Sequence, residues 1–307
     1  MTVAGRIAGL SGNQRGILYM VLGMAGFAAE DAFIKLASAN LPTGQILLTL
    51  GVFGGLLFSV LAWARGHRPL SREALHWAVM GRNVSEMLGS VAYVAALGLA
   101  PLVTTTAIFQ AMPLAVTMGA ALFLGEQVGW RRWTAILVGF LGVLVIIRPG
   151  AEDFEPASVL AVLAVTGLAA RDVFTRRIPK RIDTMLLTAW GFVSVGIVGA
   201  VQLGLSGGAL VPLPSDALLL CGALAFGTVG YWWLTESTRL GELSAIMPFR
   251  YTRLLFALLI GVVVFAERPD QWTLLGAALI VGSGIYAFAR ERARARAAAL
   301  SMQRTAR

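Results

Sequence analysis

The chain has 307 residues, of which 57% are hydrophobic and only 13% are charged, and its mean hydropathy is +0.76. A soluble domain could not bury so much apolar surface, so the composition excludes an ordinary globular protein and indicates a membrane protein. The net charge of +9 does not predict a nucleic-acid partner, because the basic residues lie in short loops and in an arginine-rich tail. We interpret this charge as a topology signal and as contact with anionic lipid of the bilayer.

Ten apolar segments follow one another, each close to the roughly 20 helical residues that cross a bilayer. The predicted spans are 15–36, 43–64, 76–98, 101–124, 132–148, 157–176, 184–204, 216–238, 244–265 and 271–290. The third of them carries charges. We therefore predict an all-α integral membrane protein with a first part at 1–150, a second at 151–290 and a basic cytoplasmic tail at 291–307.

Two motifs occur twice in the chain. Residues 28–35 read AAEDAFIK, and residues 169–176, 141 positions later, read AARDVFTR. The segment 124–126 reads LGE, and its counterpart 265–267, again 141 positions later, reads FAE. Because each half holds five spans, an odd number, the second copy must insert upside down, which is the architecture of an inverted-repeat transporter.

Basic residues are distributed asymmetrically over the predicted loops. With the amino terminus inside, eighteen Lys and Arg residues fall in cytoplasmic segments and three fall on the other side. Lys and Arg in short loops are retained in the cytoplasm. We therefore predict a multi-pass protein of the bacterial cytoplasmic (inner) membrane with both termini cytoplasmic.

Several chemistries are not indicated by the sequence. The single cysteine, Cys221, excludes an internal disulfide and a cysteine-based metal cluster. No Gly-x-x-x-x-Gly-Lys-Ser/Thr motif is present to hold ATP phosphates. His67 and His76 lie in or beside a loop rather than within a span. The sequence therefore predicts no metal site, no cofactor and no enzymatic activity.

Nine ionisable residues are predicted to lie within the spans. Such groups are costly in a bilayer, so they normally face protein or a wet cavity and mark either function or a structural ion pair. They are Glu30, Asp31, Arg82, Glu86, Arg171, Asp172, Glu236, Arg250 and Arg253. Arg250 follows the helix-interrupting Pro248 and can either hold a substrate carboxylate in a bidentate fork or pair with a structural acid.

The two copies differ in charge at their matched positions, with Glu30-Asp31 in one and Arg171-Asp172 in the other. A cavity between the copies would meet an ammonium on one wall and a carboxylate on the other, which favours a zwitterion. Nearby aromatic rings would add apolar and cation–π contact. The predicted substrate-binding residues are Phe27, Glu30, Asp31, Glu86, Tyr93, Phe109, Gln110, Arg171, Trp190, Trp232, Glu236 and Arg250.

Several short segments, read together with the five-plus-five duplication, resemble the EamA-type drug/metabolite transporter superfamily and its ten-span exporter branch. They are Pro101-Leu102-Val103-Thr104-Thr105, Pro113, the segment 124–126, the segment 239–245 and the segment 265–267. Pro113 has no counterpart at Leu254, so the two halves are not strictly symmetric. The resemblance implies a cytoplasmic-membrane carrier of small organic metabolites that works by alternating access around a central cavity.

From these observations we expect export of amino acids, including aromatic ones, or of related zwitterions. The alternatives are a multidrug or cation exporter, for which no arginine would be essential, and an importer of a vitamin or nucleotide-like metabolite. Proton antiport and facilitated diffusion are both compatible with the sequence. We expect a small-molecule substrate and the lipid bilayer as partners, and a monomer or weak homodimer.

Overall fold

The computed structural model describes residues 12–151, 154–179, 181–208, 212–240 and 246–305, and within these ranges the regular structure is helical without a strand. The helices are α1 (Gly12–Ala37), α2 (Thr43–Ala64), α3 (Trp77–Leu99), α4 (Leu102–Phe123), α5 (Trp130–Ile147), α6 (Ala157–Thr175), α7 (Thr184–Leu205), α8 (Pro214–Leu240), α9 (Met247–Phe265) and α10 (Gln271–Thr305). The all-α prediction is confirmed. The predicted start of the ninth span at 244 and the motif residues 241–245 lie outside the described residues.

Nine of the described helices are long and apolar enough to cross a membrane. The remaining helix, α3, has 23 residues and so has the necessary length, but it carries Arg82, Asn83 and Glu86. The fourth predicted span is interrupted, because α4 consists of Leu102–Phe109 and Met112–Phe123 with a break before Pro113. Proline lacks the amide hydrogen that would continue the helical bonding.

The two halves of the chain pack against each other helix by helix: α1 lies along α8, α2 along α7, α3 along α6, and α5 along α10. The direction of each pair can be read from its glycines. Gly44 faces Leu203 while Gly55 faces Val193, so α2 and α7 run antiparallel.

α5 and α10 also run antiparallel, since Gly139 faces Ser283 and Gly142 faces Gly276. α2 and α7 hold the same position in their respective halves, and so do α5 and α10. Matched helices that run in opposite directions show that the halves are inverted, as the sequence predicts. The predicted division at residues 150 and 151 falls between α5 and α6.

The connections between helices form two faces. The basic face holds the α2–α3, α4–α5 and α6–α7 loops, and there the Arg181 Nε atom lies 3.3 Å from the Glu73 carboxylate. The opposite face holds the remaining described connections, and there the Asn40 amide donates to the Asp216 carboxylate over 2.9 Å. Both faces are therefore tied by polar contacts between the two halves.

The opposite face also carries an ion pair between the ends of α5 and α10. The Arg148 Nη2 atom lies 2.6 Å from the Asp270 carboxylate, which also accepts a hydrogen bond from the Thr273 amide. Burial by itself would raise the pKa of Asp270, but the hydrogen bonds to Thr273 and the charge of Arg148 hold this pKa below its usual range. The ionised carboxylate stabilises the amino-terminal end of α10.

Candidate substrate-binding site

An acid and an arginine from different halves pair between α1, α3 and α9. The Arg253 guanidinium donates to both carboxylate oxygens of Asp31, from Nη2 over 2.8 and 2.7 Å and from Nε over 3.1 Å. The Tyr93 hydroxyl donates to the Asp31 carboxylate over 3.0 Å and accepts from Arg253 Nη2 over 2.9 Å. Asp31 is only 1% exposed, so its charge is neutralised inside the protein.

Three aromatic rings surround the Arg253 guanidinium. Its central carbon lies 5.4 Å from the ring centre of Phe27, 5.8 Å from that of Tyr93 and 5.1 Å from that of Phe109. Arginine above aromatic faces gains cation–π attraction when it is removed from water. Three predicted aromatic site residues therefore lie together, and they enclose an arginine of the protein itself.

A second charged cluster lies between α3 and α6, towards the basic face. The Arg171 Nη1 atom lies 3.2 Å from the Glu86 carboxylate, and Arg171 also pairs with Asp172 over 2.9 Å. Arg82, one helical turn before Glu86, lies 3.6 Å from the same carboxylate. The Arg82 guanidinium rests against Gly191 of α7, where a side chain would leave no room for it. Glu86 and Arg171, both predicted site residues, are therefore joined to each other.

Glu30, Glu236 and Arg250 are the intramembrane charges that form no hydrogen bond or ion pair through their side chains with any described residue. The Glu30 carboxylate lies directly on Gly227 of α8, in the space that a side chain there would fill. Arg250 lies in the 3-10 turn Met247–Tyr251 that begins α9.

The backbone of that turn is held by Gln110, whose side-chain amide donates to the Arg250 carbonyl over 3.3 Å. Gln110 itself lies at the break in α4 and is 7% exposed. The broken segments of α4 and α9 therefore meet, and they place the Arg250 side chain on a stretch of backbone that is not a regular α-helix. Broken helices at membrane depth are typical of transporter binding sites.

Two predicted site residues lie elsewhere. The Trp190 indole donates to the Pro69 carbonyl over 2.8 Å and packs with Val79, Ile182 and Leu186 near the basic face. A buried indole N–H needs an acceptor, and that of Trp190 finds one in the α2–α3 loop.

Trp232 is 57% exposed, so it does not join the buried clusters. Its neighbour Tyr231 points inward instead, where its hydroxyl lies 3.0 Å from the Thr188 hydroxyl. Trp232 and Tyr231 are adjacent in α8. Their positions in the sequence do not show which ring points inward, because that depends on which face of α8 packs on α1.

Sequence reasoning did not include Arg253 among the site residues. A signal for it was present, because a deeply buried Asp31 requires a cationic partner and α9 carries two arginines. The choice between Arg250 and Arg253 depends on the packing of α9 against α1, which the sequence does not give.

Comparison with known proteins places this chain in a family. The model of the EamA-like transporter family matches residues 14–148 and again residues 156–288, one match in each half of the chain. A solved crystal structure, 20% identical in sequence, covers 90% of this chain with a TM-score of 0.62 and shares its fold.

Several curated transporters are similar over most of their length. An S-adenosylmethionine uptake transporter of Rickettsia felis is 26% identical over 276 residues, covering 88% of this chain and 91% of the relative. A riboflavin transporter of Rhizobium johnstonii is 27% identical, covering 92% and 93%. A pseudopaline exporter of Pseudomonas aeruginosa is 27% identical, covering 87% and 93%. With both halves matched by the family model, the chain belongs to the EamA-like transporter family and is a multi-pass membrane transporter of small metabolites.

Proposed function

We propose that this chain carries small zwitterionic metabolites across the bacterial cytoplasmic membrane by alternating access of its two inverted halves. Glu30 faces the cationic group of the substrate, and Arg250 faces its carboxylate. The observation that carries the proposal is that the side chains of Glu30 and Arg250 form no ion pair and no hydrogen bond with any described residue.

The charges around these two residues support this assignment. Asp31 is already neutralised by Arg253, and Glu86 by Arg171 and Arg82, so these pairs have little free charge to offer a ligand. Leaving Glu30 or Arg250 unpaired in a membrane protein is costly. A zwitterion carries one positive group that suits Glu30 and one negative group that suits Arg250. A guanidinium binds a carboxylate in a bidentate manner, which also orients the substrate.

One of the relatives described above is named for a substrate of this class, and another is named for riboflavin, which is not a zwitterion. S-adenosylmethionine carries an ammonium, a sulfonium and a carboxylate, so it is a zwitterion with an additional positive charge. Export of amino acids, as expected from the sequence, is one case of the proposal. The relatives described above include both an uptake transporter and an exporter, and their names do not mention amino acids.

Counterflow in proteoliposomes tests the proposal. Purified protein is reconstituted with unlabelled amino acids or S-adenosylmethionine inside, and uptake of the same labelled compound is measured. We expect Glu30→Gln and Arg250→Gln each to lower the initial rate of uptake by roughly tenfold or more, because each removes a charge-assisted contact worth about 1.5–3 kcal/mol.

Arg68→Gln is the matched control, since Arg68 is exposed in the α2–α3 loop at the basic face and its loss should leave uptake unchanged. Riboflavin, which has no fixed charge, serves as the comparison substrate. The proposal fails if riboflavin shows counterflow that neither variant reduces while no zwitterion is taken up.

A further inference from the structure

The two repeated motifs place a cation and an acid at matched positions. Lys35 and Arg176 correspond, being 141 residues apart, and so do Glu126 and Glu267. The turns that present the two acids are also alike. The residue before each acid has a left-handed backbone, with φ of 69° at Gly125 and 52° at Ala266. The amide of each acid then bonds back to the end of its helix, to Ala120 or to Gly261.

In both halves the cation binds the acid of the other half. On the opposite face the Lys35 Nζ atom lies 3.7 Å from the Glu267 carboxylate. On the basic face the Arg176 guanidinium contacts the Glu126 carboxylate. The internal symmetry of the chain therefore extends to a pair of ion pairs, one at each face, and each of them joins the two halves.

The ion pair of the opposite face is part of a larger buried network. Lys35 also donates to the carbonyls of Leu97 and Ala100 at the end of α3. Glu267 accepts from the amides of Leu102 and Val103, over 2.6 and 3.0 Å, and so caps the amino terminus of α4. The side chains of Lys35 and Glu267 are only 16% and 12% exposed. This network joins α1, α3, α4 and the α9–α10 connection.

The ion pair of the basic face is more open, since the side chains of Arg176 and Glu126 are 47% and 48% exposed. Exposed ion pairs contribute little because solvent screens them and two long side chains must be ordered. Matched residues therefore join the two halves at both faces, but with unequal strength.

We propose that Lys35–Glu267 and Arg176–Glu126 are the two gates of the transport cycle, and that their relative strength sets the balance between the states open to either face. The inference rests on alternating access as proposed above. Because each pair joins one half to the other, a rocking motion of the halves that opens one face must break the pair on that face. The buried network favours closure of the opposite face.

Thiol labelling of purified protein in detergent tests this directly and requires no substrate. In a Cys221→Ser background, one reporter is Ala257→Cys, a fully buried position one turn before Gly261, whose backbone packs on Glu267. The other reporter is Val116→Cys, 141 positions earlier and therefore at the matched depth beneath the basic face. The rate of modification by a hydrophilic maleimide is measured at each reporter.

Lys35→Gln should raise the labelling rate at position 257 by roughly tenfold and lower it at position 116, because it removes a charged group from a buried network. Arg176→Gln should shift both rates in the reverse directions and by less, since its pair is exposed. Glu267→Gln, which keeps the shape of the side chain, serves as the second variant and should act like Lys35→Gln.

The gate assignment is wrong if Lys35→Gln and Glu267→Gln leave both labelling rates unchanged, or if Lys35→Gln and Arg176→Gln move the two reporters in the same direction. Either result would be independent of the transported compound, because the labelling requires no substrate. The two proposals can fail separately. If no zwitterion shows counterflow but the labelling rates at the two reporters still shift in opposite directions, the substrate class is wrong and the gate assignment stands.

Discussion

Asp31 is 1% exposed and depends on Arg253 for its neutralisation. Desolvating an acid and a base costs several kcal/mol, which their attraction repays only when the geometry is good and the remaining hydrogen-bonding groups are satisfied. Here the Tyr93 hydroxyl donates a further hydrogen bond to the carboxylate. The three side chains therefore act as one unit, and the loss of one charge is expected to harm the others.

Removal of one member of this ion pair should destabilise the protein strongly. We expect Asp31→Asn or Arg253→Gln to lower the free energy of unfolding by about 3–5 kcal/mol, because each leaves a buried charge without its partner. Thermal unfolding of the detergent-solubilised variants measures the effect.

The double variant Asp31→Asn/Arg253→Gln is the control for these two single substitutions. It removes both charges, so it should unfold at a higher temperature than either single variant. Additive losses in the double variant would mean that the two residues are not coupled.

Residue-level reasoning from the sequence identified the intramembrane charges but could not pair them. The prediction that such groups mark either a site or an ion pair allowed both outcomes for Asp31 and for Glu30, which are neighbours in the chain. Adjacent residues of a helix point about 100° apart. Which of the two faces Arg253 was decided by how α1 and α9 pack.

At the scale of helices, glycine lets the two halves approach closely. A Cβ built on Gly51 of α2 would collide with the backbone of Gly196 on α7. Small residues let helix backbones approach in a membrane, where association depends on packing rather than on the hydrophobic effect. Because small residues are common in membrane spans, the sequence alone does not show which glycines lie at a helix contact.

Replacement of Gly51 by valine should therefore force α2 and α7 apart. We expect Gly51→Val to lower the free energy of unfolding by about 1–3 kcal/mol, the usual cost of overpacking. Thermal unfolding in detergent measures the loss.

Gly204 offers a matched comparison on α7, because a Cβ there would meet no atom within 4 Å. Gly204→Ala should be neutral or slightly stabilising, since alanine favours a helix over glycine. Equal destabilisation by both substitutions would show that the α2–α7 approach is not specific.

For the whole molecule, the structure separates the loops into a basic and an opposite face, while the side of the membrane on which each lies follows from charge alone. Lys and Arg in short loops favour the cytoplasm. Arg65, Arg68 and Arg72 all lie in the α2–α3 connection of the basic face. We therefore predict that the basic face is cytoplasmic.

Fusions to alkaline phosphatase, which is active only outside the cytoplasm, test this orientation. A fusion after Gly208, in the connection between α7 and α8, should be active, and a fusion after Arg68 should be inactive. Activity after Arg68 would reverse the predicted topology.

The sequence by itself determined the class, the all-α membrane fold and its inverted duplication, because apolar length and repeated motifs are local or periodic properties of the chain. It also identified the two acids and two cations of the gates as matched motif positions. Only the tertiary structure decided which charges pair, and that Lys35 binds Glu267 and Arg176 binds Glu126 across the halves. The physical reason is that an ion pair depends on the distance and rotation of packed helices, and these follow from close contacts such as that of Gly51 with Gly196 rather than from the order of residues within one helix.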